Sequence, residues 1–100
     1  MRPLADALRG TLAALGIRGA VAKAGVVAAW PAAARACIGE DASRTRALAV
    51  EGDTLVVAVP SPVLAQELRL HSEQLLRDLA GRAPDATVHT IRFVPLRSPR

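Results

Sequence analysis

The chain has 100 residues, enough for one domain with a small core. Half of it counts as hydrophobic, but 21 residues are alanine, with one Trp, one Phe and no Tyr. The core must therefore be aliphatic, with helices packed closely through alanine. A single cysteine excludes an intramolecular disulfide, and two scattered histidines give no metal-ligand spacing.

The net charge is +4, and 12 of the 13 basic residues are Arg. Such a balance fits a polyanionic or acidic partner, or a proteome in which arginine raises every isoelectric point. Asp6, Arg9, Arg18 and Lys23 interrupt any signal-peptide core. The uncharged run at residues 24–34 contains Pro31 and is too short to span a bilayer. A soluble, cytoplasmic domain that engages no membrane is expected.

In chain order, residues 3–15 read as a first helix: Leu4, Leu8, Leu12 and Leu15 form one stripe, and Gly16 stops it. Gly16-Ile17-Arg18-Gly19 reads as a short connection. A second helix is expected over residues 20–38, broken or kinked at Pro31 and ended by Gly39. Residues 40–45 read as a polar loop. Residues 47–51 and 54–59 are strand-like and flank Gly52-Asp53, the pattern of a two-residue type II′ hairpin. Ser61 is a natural N-cap with Pro62 behind it, opening a third helix that runs to about residue 80, with Gly81 terminating it. Residues 87–94 read as the last strand. The expected domain spans residues 1–94, and residues 95–100 form a short basic tail. The order α-α-β-β-α-β defines a small α+β domain, a three-stranded sheet with helices on one face.

The stretch His71-Ser72-Glu73 brings together residue types used in nucleophilic catalysis. At 100° per residue, Leu64, Leu68, His71, Leu75 and Leu79 fall within about 80° of one another, whereas Ser72 and Glu73 turn progressively away. No relay forms from such neighbours, so no catalytic residue is assigned. Glu73 and Arg77 have the favourable i,i+4 spacing. Arg69 and Arg77 lie on the outer helix face, either solvated or reaching phosphates. Leu70 lies off the apolar stripe, open to a partner. Trp30 is either a core anchor or, if Pro31 breaks the helix beside it, a surface contact. Arg44, Arg46 and Arg92 lie in or beside strands, and form a positive patch if the first and last strands are neighbours. With stacking aromatics nearly absent, nucleic-acid binding would be electrostatic and weakly specific.

Residues 27–30, the hairpin EGDTLVVAV, the segment SPVLAQELRLHSEQLLRDL and VHTIRF together resemble the DciA family of bacterial helicase loaders. Their order and spacing span nearly the whole chain. The resemblance implies a KH-like domain close to the type II order but without the GxxG loop. The glycines of GIRG therefore carry no clamp function. It also implies a non-enzymatic adaptor in replication initiation that binds single- or double-stranded DNA and a DnaB-type replicative helicase, with no cofactor and no small-molecule substrate. The family's tryptophan falls at Trp30. Position 64 is Leu where the family often has an aromatic, and position 71 is His where an apolar residue is usual. A KH-like RNA-binding module, or a protein-interaction domain without strong nucleic-acid affinity, is the alternative. The DNA contacts expected on this reading are Arg44, Arg46, Arg69, Arg77 and Arg92, and the partner contacts are Trp30 and Leu70.

Overall fold

A computed structural model describes the backbone of residues 4–96 and the side chains of residues 19–96. The elements are α1 (Leu4–Ile38), a 3-10 helix (Gly39–Arg44), β1 (Arg46–Glu51), β2 (Thr54–Val59), α2 (Pro62–Leu70), α3 (Ser72–Arg82) and β3 (Thr90–Pro95). The order is α-β-β-α-α-β. The two helices expected at the N-terminus are one, and the single helix expected after the hairpin is two.

Helix α1 runs through Gly16-Ile17-Arg18-Gly19, so GIRG is helical backbone and not a turn. An interior glycine costs a helix only about 1 kcal/mol, too little to end it without a competing turn. Pro31 also lies inside the helix, where it denies the Val27 carbonyl its usual donor. From Val26 onward the helix is held by a buried stripe, Val26, Trp30, Ala33 and Ala34, while Pro31 projects outward. The stripe Leu4, Leu8, Leu12 and Leu15 lies outside the described side chains. Gly39, at φ 72°, turns the chain out of the helix into the 3-10 segment, where a polar loop was expected.

The sheet order is β1-β2-β3, with β1 antiparallel and β3 parallel to β2. The first and last strands are therefore not neighbours. Glu51 pairs with Thr54 across Gly52-Asp53. Gly52 has φ 63°, and no non-glycine residue has positive φ among the described residues, as a type II′ turn requires. A bulge between Ala47 and Ala49 interrupts the regular register of β1 with β2. The extra residue lets Ala47 and Val50 both face the core and leaves Leu48 half exposed.

The core lies between the helices and one face of the sheet. Leu55, Val57 and Val59 of β2 meet Val26, Trp30, Leu64, Leu68, Leu75 and Leu79, with Ile91 and Phe93 of β3 packed against them. Ser61 caps α2 by accepting the Leu64 amide at 3.2 Å, with Pro62 in the first turn, as its sequence position implies. The chain leaves helical geometry at His71 (φ −105°, ψ 16°) and resumes it at Ser72. The residue after β3 is tied too: Leu96, within the expected tail, donates its amide to the Val59 carbonyl at 2.9 Å.

Gly52→Ala is expected to lower the unfolding free energy by about 1–2 kcal/mol, because its backbone conformation penalises any Cβ although the space around it is open. Urea denaturation of the variant with an unchanged m-value checks this, and an unchanged midpoint refutes it.

Candidate nucleic-acid and partner surfaces

Trp30 is 1% exposed, so Pro31 does not push the ring to the surface. Its indole N–H donates to Thr45 Oγ1 at 2.9 Å, and the Thr45 hydroxyl donates on to the Ala42 carbonyl at 2.7 Å. The residue is built into the fold and presents no face for direct contact. Leu70 is 78% exposed, and Val63, seven residues earlier on the same side of α2, is equally exposed. Val63 was missed in the sequence because an isolated valine in a first turn gives no periodic signal.

The five arginines divide among three regions. Arg46 opens β1 opposite Ala58, and Arg92 of β3 lies beside Val56. Val56 and Ala58 lie outside the main core cluster although they are 5% and 2% exposed, so both arginines sit on the sheet face opposite Leu55, Val57 and Val59. Arg44 is exposed just before β1. Arg69 lies on α2 with its guanidinium 5.9 Å from the Phe93 ring centroid, a cation–π distance. It shares a recess at the β3 edge with Arg92, Thr54 and Thr90. Arg77 lies elsewhere, lining the groove between α1 and α3 with Val26, Leu76 and Val88.

The ion pairs differ from the expected one. On α3 the close pair is Asp78–Arg82 at 3.0 Å instead of Glu73–Arg77, and across the sheet Arg92 meets Glu51 at 3.6 Å. All four groups are substantially exposed, so each pair contributes little. His71, Ser72 and Glu73 form no hydrogen bond with one another among the described residues: His71 is the joint, Ser72 opens α3 and Glu73 faces solvent.

Cys37 is partly buried at the end of α1, beside Gln74, Arg77 and Asp78. Burial pushes its thiol above the ordinary range, and the Glu67 and Asp78 carboxylates push the same way. No group of three or more His, Cys, Asp and Glu that could hold a metal occurs among the described residues. Residues Gly19–Arg44 are long and apolar enough to cross a membrane by hydropathy alone. Alanine supplies much of that apolarity, and the stripe Val26, Trp30, Ala33 and Ala34 is buried against the sheet and helices.

These features define a small α+β domain with exposed arginines on the outer face of its sheet and exposed apolar residues on a helix of the other side. The chain belongs to the DciA family: the family model described as "Dna[CI] antecedent, DciA" matches residues 3–93. That membership assigns it a role in DNA replication. Comparison with curated proteins returns no match.

Two outcomes are expected. Thr45→Val, which keeps the shape but removes the acceptor, leaves the buried indole N–H unpaired and lowers stability by about 1–3 kcal/mol. Trp30 is the chain's one tryptophan, so its own fluorescence during urea unfolding reads this directly. For Cys37, only the thiolate alkylates, so a raised pKa means slow reaction at neutral pH. Iodoacetamide labelling at pH 7.5 should be slower than for a free thiol, with its pH profile displaced upward. The urea-unfolded chain should react at the ordinary rate. Equal native and unfolded rates refute the assignment.

Proposed function

We propose that this protein is a non-enzymatic adaptor that binds DNA and recruits or loads a DnaB-type hexameric helicase in replication initiation. The observation that carries the reading is the family match over residues 3–93, which spans every element from α1 into β3. The fold reads as KH-like. Its helix pair α2 and α3 occupies the place where a KH domain carries the GxxG loop, but the joint here is Leu70-His71-Ser72, without glycine. A side chain at each of these positions leaves no bare backbone to clamp a nucleic acid in the KH manner. Binding then rests on arginine, with Arg44, Arg46, Arg69 and Arg92 as the candidate phosphate contacts, while Arg77, also expected from the sequence, lines a separate groove. The site of action is the cytoplasm.

Leu70 is the better probe of the helicase contact than Trp30. A Trp30→Ala change empties the core and costs about 3–5 kcal/mol, so lost binding would report unfolding. An exposed leucine tolerates replacement within about 0.5 kcal/mol.

Pull-down of a DnaB-type hexamer by the intact chain is expected, with loss in Leu70→Asp and Val63→Asp at unchanged thermal midpoint. No capture by the unaltered chain refutes the helicase half of the reading. Anisotropy titration of labelled DNA across salt tests the other half: affinity should fall steeply as salt rises.

A further inference from the structure

We infer that the DNA backbone lies across the outer face of the sheet, held between Arg46 and Arg92, and that Glu51 weakens this binding by competing for Arg92. The inference rests on the DNA-binding reading above and names the surface that carries it.

The face is defined by strand parity. Leu55, Val57 and Val59 point to the helices, so Val56 and Ala58 point the other way. Pairing puts Arg46 beside Ala58, Ala49 beside Val56, and Glu51 beside Thr54. On the other side of β2 it puts Arg92 beside Val56 and Val94 beside Ala58. Val56 and Ala58 between the two arginines are only 5% and 2% exposed, so the floor is closed to solvent and a backbone would be met by the exposed arginines themselves. Two strand spacings and a two-residue offset separate the arginines by about 12 Å between Cα atoms. Both guanidiniums can then reach phosphates a few nucleotides apart on one strand.

The charge along this face is polarised. Arg44 and Arg46 stand where β1 begins, and Glu51 and Asp53 stand where the hairpin turns. A polyanion is attracted to the first end and repelled from the second. Arg92 lies between them, and its guanidinium faces Glu51 at 3.6 Å with side chains 58% and 65% exposed. An ion pair this open exchanges its partner readily, so a phosphate oxygen can displace the carboxylate. The displaced Glu51 then remains near the phosphate as an uncompensated like charge. Arg77 takes no part, because it faces the groove between α1 and α3.

The test is anisotropy titration of a labelled DNA, single-stranded and duplex in parallel, with the full chain over a series of salt concentrations. Glu51→Gln should tighten binding about two- to fivefold, a gain that misfolding does not produce, and the gain should shrink when Arg92→Ala is also present. Arg46→Ala and Arg92→Ala should each weaken binding and lower the salt slope by about one. Arg46→Lys should retain the slope, and Arg77→Ala should bind like the unaltered chain. If the unaltered chain binds DNA while Glu51→Gln brings no gain and the two alanine variants keep the full slope, this surface is wrong and DNA binding stands. If the unaltered chain shows no salt-dependent DNA binding, the reading itself fails. Tighter binding of an RNA of the same sequence overturns the choice of DNA.

Discussion

Everything else in the domain is referred to the burial of Trp30. Its ring lies where α1, the 3-10 helix and the entry to β1 converge, and removing roughly 150–250 Å² of aromatic surface from water contributes about 4–6 kcal/mol. The indole N–H is costly to bury unpaired, and the Thr45 hydroxyl oxygen accepts from it while its own O–H donates to the Ala42 carbonyl. This short chain of hydrogen bonds fixes where the helix ends relative to where the sheet begins. It also explains how a helix tolerates an interior proline beside its most important residue. Trp30 and the alanines that follow it hold the backbone on the sheet, and Pro31 faces outward.

With helices committed to one face, the sheet is left with two different sides. The inner side is wholly aliphatic apart from Phe93. The outer side carries Arg46 and Arg92 over a floor of Val56, Ala58 and Ala49, and the bulge at Leu48 lets one strand serve both. Without that extra residue, the positions after it would change faces, putting Glu51 in the core and Val50 outside. The charge pattern of the outer face depends on a one-residue irregularity in an edge strand.

The surfaces proposed for a nucleic acid and for a protein are thus spatially distinct. Arg44, Arg46 and Arg92 lie at the sheet, while Leu70 and Val63 project from α2 in the helical layer. Arg69 stands between them, over Phe93 at the β3 edge. Its aromatic contact was invisible in the sequence, since the two residues are 24 positions apart.

Much was legible in the sequence because local rules governed it. The Gly52-Asp53 turn, the Ser61 cap, the strand composition and the arginine-rich surface follow from backbone sterics, hydrogen-bond chemistry and polarity within a few residues. The candidate site was only half legible: the arginines were identifiable, but the β-sheet order that puts β2 between Arg46 and Arg92 is a long-range choice. The helices show the division most clearly. The leucine stripe of residues 64–79 keeps one phase through His71, so periodicity fixed which face is buried and gave no sign of a break. The break arises because α2 must cover β2 while α3 must lie against α1 and β3, and one straight axis cannot follow both. The reverse holds at the N-terminus, where glycine signalled two helices but the backbone stays helical through residues 16–19, and where the buried stripe from Val26 to Ala34 holds the helix across Pro31. Sequence determined the faces and the turns through local chemistry. Only the tertiary structure decided where the helices bend and which charges share a surface, because those depend on partners distant in the chain.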